Sequence, residues 1–185
     1  MNRRAFVLLG PMAFLAACVS SAPPVQVGPD GNVLPRVYQI TPELAQQIPY
    51  RFLDAVNSLR QARGLPQLQL SAQLNAAAEA HSQDMSRQNR PWHFGSDGSS
   101  PLARVQRVGY AGQLLGENIS ESYQTELQTL STWMAAPDQR ATIMEPSATD
   151  LGLAWYQEQN GKIWWTMVTG KGGGAPMMAY NPYGN

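Results

Sequence analysis

The polar chemistry of this chain is concentrated in two short segments. The first, residues 92–101, carries His93 between two aromatic residues, and the second, residues 116–119, reads Gly-Glu-Asn-Ile and contains Glu117. An imidazole and a carboxylate that lie close together can move a proton, orient a ligand or supply two ligands to a metal ion. His93 and Glu117 are the side chains in these two segments whose types could do this chemistry.

Other polar side chains have simpler explanations. His81 falls on the apolar face of a predicted helix, which favours a core histidine bonded to a backbone group. Asp97 lies in a Ser-Asp-Gly sequence typical of a turn, because its side chain can bond the backbone while the glycine adopts positive φ. Ser99 and Ser100 are expected to be turn and helix-cap residues. Glu117 can also satisfy backbone donors, so bracing and function both stay open for it.

The composition limits the class of function. The chain has 185 residues, and its thirteen Lys and Arg balance thirteen Asp and Glu. No excess of positive charge is present to displace counterions from phosphates, so nucleic-acid binding is disfavoured. A single cysteine cannot form an intrachain disulfide, and no Cys/His cluster indicates a structural zinc site. We expect one domain with tails, stabilised by its apolar core.

The N-terminus has the pattern of a targeting signal. Two arginines precede an apolar run that is shorter than the roughly 20 residues of a spanning helix, and small residues follow, which predicts a signal peptide over residues 1–17. Residues 15–18 read Leu-Ala-Ala-Cys and resemble the bacterial lipobox. That resemblance implies that Cys18 carries acyl chains such as palmitate and anchors the chain to a membrane. An ordinary signal peptide that contains a cysteine is the alternative.

Two further features bear on the anchor. Each buried methylene of an acyl chain contributes about 0.8 kcal/mol, so several chains hold a protein firmly without a transmembrane helix. Position 19 is Val and not the Asp that marks inner-membrane retention in enteric lipoproteins. The resemblance therefore implies the outer membrane of a bacterial cell envelope.

The rest of the chain divides by composition. Residues 18–40 are rich in Ser, Pro, Gly and Val without a helical or strand period, which predicts a flexible tether that starts at Cys18. The Gly/Pro-rich residues 172–185 predict a disordered tail. The folded domain is therefore expected over residues 41–171.

Hydrophobic periodicity predicts a helical first part of this domain. Four helices are expected, near residues 50–63, 71–89, 101–108 and 124–135, with a short additional helix capped at Thr41. Side chains expected to point inward include Phe52, Leu59, Leu74, His81, Met85, Leu102, Val105, Leu127, Leu130 and Met134.

The last part of the domain has the pattern of a hairpin. Residues 151–158 and 162–169 are apolar and are separated by Gln-Asn-Gly, and Asn-Gly is typical of a type I′ turn. A third strand is expected at residues 115–120. Alternation sends Trp164 and Trp165 to opposite faces. One is expected in the core, and for the other a covered position is favoured over an exposed surface that could stack on a sugar or lipid. Helices followed by a small antiparallel sheet indicate an α+β fold.

The order of these motifs resembles the bacterial branch of the CAP superfamily, the cysteine-rich secretory, antigen 5 and pathogenesis-related 1 proteins. The matching motifs are, in order, Ala-His-Ser at residues 80–82, His93 followed by Asp-Gly, Gly-Glu-Asn-Ile, Trp-Met at 133–134 and the hairpin. The resemblance covers about residues 50–170. It implies a three-layer α/β/α sandwich, in which helices flank a small antiparallel sheet.

The family also implies a surface cavity lined by two His and two acidic residues, which holds a divalent metal in some members. By resemblance, His93 is the first cavity His, Glu117 is one acidic residue, and Gln139 stands where bacterial relatives carry the second His. Catalytic zinc needs three protein ligands, so we expect no tight metal site unless His81 or Asp97 completes it. A Mg²⁺ or Ca²⁺ ion held weakly by oxygens stays open, and no other cofactor is implied.

Three functions remain open at this point. The first is a non-catalytic envelope binding module that holds a small ligand, lipid or glycan in a cavity of His93, Glu117 and Gln139, by analogy with lipid-binding eukaryotic members. The second is a hydrolase, of peptidase or cell-wall type, with Glu117 as general base and His93 as proton carrier. The third is a structural factor that contacts other envelope proteins. The missing second His favours a protein that is not an enzyme.

Overall fold

The computed structural model of the protein describes residues 37–173 and 175–177. The predicted signal peptide, Cys18, most of the predicted tether and residues 178–185 of the predicted tail lie outside the described residues. Within the described part of the chain, the structure contains five helices and four strands. In order they are α1 (Pro42–Gln61), β1 (Gln69–Leu70), α2 (Ala72–Gln88), α3 (Pro101–Arg107), β2 (Gln113–Ser122), α4 (Glu126–Ala135), α5 (Pro137–Ile143), β3 (Asp150–Gln157) and β4 (Ile163–Lys171).

The four strands form one sheet in the order β1-β3-β4-β2. The strands β2, β3 and β4 are antiparallel neighbours, and the short β1 pairs with β3 in parallel. The predicted hairpin and third strand are confirmed. The turn of the hairpin differs from the predicted type I′ turn. Asn160 has a negative φ, and only Gly161 has a positive φ, of 88°. Glu158 N–H donates to the Lys162 carbonyl across a three-residue loop, a common hairpin connection with a left-handed last residue.

Helices cover both faces of this sheet, which confirms the α/β/α sandwich. On one face, α1, α4 and α5 pack on the hairpin in a core that includes Phe52, Trp133 and Trp165. On the other face, α2 and α3 pack on Ala154 and Val168. Because both faces are covered, Trp164 and Trp165 are both fully buried, which confirms the favoured covered position and leaves neither as an exposed stacking surface.

The helix α2 lies directly on β3 at Gly152. A Cβ atom at this position would run into the backbone of α2 at Leu74. The predicted inward face of α2 is confirmed, since Leu74, His81 and Met85 are all fully buried. The absence of a side chain at one strand position thus fixes how closely this helix approaches the sheet.

Three leucines that the periodicity places inward are exposed, namely Leu59, Leu102 and Leu127. Charged side chains on the same helices are buried instead, namely Arg60, Arg104 and Glu126. Arg60, for example, donates to the carbonyls of Pro66, Ile143, Glu145 and Ala148 at 2.8–3.3 Å. Each buried charge has partners on distant parts of the chain, which the local pattern does not reveal.

Other elements differ in extent from the prediction. The short helix capped at Thr41 and the helix at residues 50–63 are one helix, α1, with Pro49 inside it. The strand β1 and the helix α5 were not predicted, because two and seven residues are too few to establish a period.

The packed domain reaches beyond residues 41–171 at both ends. The Ile40 N–H donates to the Gln157 side chain at 2.9 Å, and the Met177 N–H donates to the Leu70 carbonyl at 3.1 Å. Parts of the predicted tether and tail therefore pack on the domain. None of the helices in the described residues is long and apolar enough to cross a membrane.

Candidate functional site

The loop that carries His93 is held against α2. The helix ends at Asn89, which adopts a left-handed φ of 48°, and this lets the chain turn back alongside the helix. Asp84 of α2 then accepts hydrogen bonds from the backbone N–H and the hydroxyl of Ser96, at 2.6 and 2.7 Å. Burial alone would raise the pKa of Asp84, but these bonds and the Arg87 guanidinium hold it below the ordinary value. An ionised carboxylate thus braces the loop.

The central contact of the site joins Arg104 of α3 to Glu117 of β2. One amino group of the guanidinium donates to both carboxylate oxygens, at 2.9 and 2.7 Å. The other donates to the backbone carbonyls of His93 and Ser99, at 2.9 and 3.0 Å. The two side chains are only 6% and 4% exposed. Arg104 therefore neutralises a buried carboxylate and fixes the His93 loop with the same group.

His93 completes this arrangement on the solvent side. Its Nδ1 lies 2.8 Å from Glu117 Oε1, and its side chain is 52% exposed. Burial would raise the pKa of Glu117, but the His93 hydrogen bond and the charge of Arg104 outweigh burial and lower it. The carboxylate is therefore ionised at neutral pH and accepts from the Nδ1–H group of His93. The structure brings the two predicted site residues into direct contact.

His81 lies beneath the site as a core histidine bonded to the backbone. Its Nε2 is 3.0 Å from the Trp92 carbonyl and 3.8 Å from Glu117 Oε1. Since a carbonyl only accepts, Nε2 carries the hydrogen, and the buried Nδ1 has no hydrogen-bond partner in the described structure. Burial lowers the pKa of His81, despite the attraction of Glu117. The ring is therefore neutral at pH 7.

The donor set around Glu117 does not fit a metal ion. Both carboxylate oxygens contact a guanidinium, whose fixed positive charge opposes a cation at this point. Asp97 accepts from the Ser99 N–H and from Arg107, as its predicted turn chemistry requires, and so does not complete the set. Among residues 37–173 and 175–177, no group of three or more His, Cys, Asp or Glu side chains is placed to hold a metal.

An open groove of about 630 Å³ lies beside His93. It is lined by residues 91–94 of the loop, residues 119–121 of β2, and Gln139 of α5. The rings of Trp92 and Phe94 lie 5.7 Å apart along one side. The groove brings His93 and Gln139 together, whereas Glu117 bonds His93 from beneath and does not line it.

The reasoning from sequence missed three contributors to this site. Trp92 and Phe94 flank His93, and only the structure shows that both of them line the groove. Arg104 comes directly before the inward Val105 and is nevertheless buried, which the sequence did not indicate because helical spacing assigns charges to the outer face. Its partner Glu117 lies on a different element.

Comparison with known proteins was consistent with this geometry. Residues 53–169 match the sequence profile of CAP, the cysteine-rich secretory protein family. YkwD, an uncharacterized protein of Bacillus subtilis, is 30% identical over 121 residues, which cover 65% of this chain and 46% of YkwD.

Solved structures share the fold. An extracellular protein containing an SCP domain from Bacillus anthracis aligns with a TM-score of 0.63 and 25% identity, over 73% of this chain and 45% of that protein. An outer surface protein of Borrelia burgdorferi aligns with a TM-score of 0.60 and 12% identity, over 69% of this chain and 94% of that protein. The chain thus spans less than half the length of the two Bacillus proteins.

Replacing Arg104 tests the central contact. We expect Arg104→Leu to lower the free energy of unfolding by about 3–5 kcal/mol, because it leaves the buried charge of Glu117 unpaired. Urea denaturation measures this loss. Arg107→Leu is the matched control, since Arg107 lies on the same helix but is 62% exposed. An equal loss in the two variants would show that the buried Arg104–Glu117 pair contributes no more to stability than the exposed Arg107–Asp97 pair.

The neutral state of His81 predicts a pH dependence of stability. Its pKa is lower in the folded chain than its ordinary 6.5, so the unfolded chain binds the proton at higher pH and stability falls as the pH drops below 6.5. The pKa of Glu117 is also lower in the folded chain, so its contribution to stability is lost only when the pH falls below its ordinary pKa of 4.5.

The free energy of unfolding is therefore measured between neutral pH and pH 4.5, the ordinary pKa of a glutamate. In this range the contribution of His81 changes with pH, whereas that of Glu117 does not. We expect His81→Asn to flatten the fall in stability across this range. His93→Asn, which changes the other histidine of the chain, serves as the control and should retain the fall. An undiminished fall in His81→Asn would contradict the assignment.

Proposed function

The chain belongs to the CAP, or cysteine-rich secretory protein, family, and on this premise we propose that it is a non-catalytic binding module of the bacterial cell envelope. Its ligand lies in the groove beside His93. The observation that carries this proposal is the contact of Arg104 with Glu117, which uses the carboxylate to orient His93 and leaves it unavailable for chemistry on a substrate.

The same contact counts against a hydrolase that uses Glu117. A general base must accept a proton near the working pH and must reach the substrate. Glu117 is 4% exposed, does not line the groove, and has a lowered pKa with both oxygens engaged. Ser100, the nearby hydroxyl that caps α3, accepts the Ala103 N–H at 3.2 Å and serves the helix.

The groove has the composition of a binding site. Ligand sites combine aromatic or apolar surface with a few fixed polar groups that set orientation. Here Trp92 and Phe94 supply the aromatic surface, and His93 and Gln139 supply polar groups on the loop and on α5. The loop, α5 and β2, which contributes residues 119–121, thus converge on one open surface.

The location of the protein is part of the proposal. The Bacillus anthracis relative is described as an extracellular protein, which supports an extracellular or envelope location for this chain. The lipobox-like residues 15–18 support a lipid anchor at Cys18, and Val19 supports the outer membrane. The domain would then bind its ligand while tethered to the membrane surface.

Native mass spectrometry of the full chain, purified from its own envelope, tests the groove as the binding site. We expect an adduct on the wild type that is missing from Phe94→Ala, because that change removes the exposed aromatic side chain of the groove. Tyr123→Ala is the matched control, since Tyr123 is exposed but does not line the groove.

Two results would contradict the groove proposal. A wild-type chain without any adduct would indicate a scaffold and not a binding module. Release of a product from envelope extract by the wild type, with none released by Glu117→Gln, would indicate a hydrolase.

The anchor is tested by Cys18→Ser. We expect this variant to lose incorporation of labelled palmitate and to leave the membrane fraction, since the acyl chains are attached to the sulfur. Val19→Asp serves as the control, because it should keep the lipid but move the protein to the inner membrane. Palmitate labelling that persists without Cys18 would rule out the proposed attachment.

A further inference from the structure

His93 presents one defined hydrogen-bonding atom to the groove. Its Nδ1–H donates to the ionised carboxylate of Glu117, which can only accept. In the neutral ring the remaining nitrogen, Nε2, therefore carries a lone pair and no hydrogen. Within the described residues Nε2 bonds no protein group, and the half-exposed ring lines the groove. A ligand that matches this atom must donate a hydrogen bond.

Phe94 adds an aromatic surface that is held from behind. It is 49% exposed and lies against Trp92, with the two ring planes tilted by 55°. Trp92 is itself fixed, because its Nε1–H donates to Gln88 at 2.7 Å and the Arg90 guanidinium lies 4.0 Å from its ring centre. The faces of aromatic rings are electron-rich and attract the C–H groups of a ligand.

Glu121 of β2 and Gln139 of α5 also line the groove. Lys162 lies 3.1 Å from the Glu121 carboxylate, so this acceptor is partly neutralised. The Asn118 side chain donates to the Gln139 carbonyl at 2.8 Å and ties the start of α5 to β2. The amide of Gln139 can both donate and accept. These groups suit a ligand with many hydroxyls, each of which can donate and accept.

The lining disfavours the other ligand classes considered. An acyl chain gains free energy by leaving water, which needs an enclosed apolar channel. This groove is open, and Ile119 and Pro91 are its only aliphatic lining residues. An anionic ligand needs cationic partners, yet no Lys or Arg lines the groove and Glu121 does.

From these contacts we infer that the groove binds a neutral oligosaccharide. A sugar ring packs on Phe94, and one hydroxyl donates to Nε2 of His93. This inference rests on the proposed function and specifies its ligand class. Glu117 and Arg104 act as positioning residues, since they fix the ring of His93 without touching the sugar.

Saturation-transfer NMR of the full chain in a non-glycosidic detergent tests the inference, with tetra-N-acetylchitotetraose and maltotetraose as neutral probes. We expect saturable binding of at least one probe. Phe94→Ala should weaken that binding about tenfold, the effect of losing an aromatic contact. Phe94→Tyr should preserve the binding, and Tyr123→Ala should leave it unchanged.

The outcomes separate this inference from the proposed function. No transfer to either tetrasaccharide, or transfer that persists in Phe94→Ala, overturns the glycan assignment. Transfer to sodium decanoate that disappears in Phe94→Ala also overturns it, but leaves the groove as a lipid site. The proposed function itself fails if the chain from its own envelope carries no adduct, or if it releases a product from envelope extract that Glu117→Gln does not release.

Discussion

A buried carboxylate must keep a partner if it is to stay charged, and the site depends on how this chain meets that constraint at Glu117. Desolvation of the carboxylate is costly, and Arg104 offsets the cost with its charge and its hydrogen bonds. The same guanidinium holds the His93 and Ser99 carbonyls. One ion pair therefore joins α3, β2 and the His93 loop. Because Glu117 accepts from His93 Nδ1–H, the pair also determines which ring nitrogen of His93 carries the hydrogen. Arg104 contacts both carboxylate oxygens of Glu117, so they are not free to coordinate a metal ion.

The sandwich supplies the rigid frame for this pair. The strand β2 is positioned by its ladder with β4, whose tryptophans are buried on opposite faces. The helix α2 lies on the other neighbour of β4 and braces the loop through Asp84. Because the elements of the core hold the site in place, a ligand of the proposed class would require little rearrangement of the groove and would cost little conformational entropy.

Much of this arrangement could be predicted from sequence, and the failures have a common cause. The Asn-Gly turn region gave the hairpin because its signal is local, whereas the family resemblance gave His93 and Glu117 as residues of one site. Arg60 and Arg104 were not among the side chains predicted to point inward, since periodicity assumes that charges face water. Their partners lie on other elements, and only the fold brings them together. The exposed alternative for one hairpin tryptophan stayed open for a related reason, because strand alternation does not reveal whether a sheet is covered on one face or two.

Gly152 shows how far the geometry of the groove reaches into the core. Any side chain at this position would push α2 away from the sheet, since the helix backbone occupies the space of a Cβ atom. The helix carries His81 and Asp84, which bond the loop at Trp92 and Ser96. A shift of the helix would therefore also move the loop of His93. A strand residue that does not line the groove thus acts as a spacer, because it sets the distance between the sheet and the helix that braces the His93 loop.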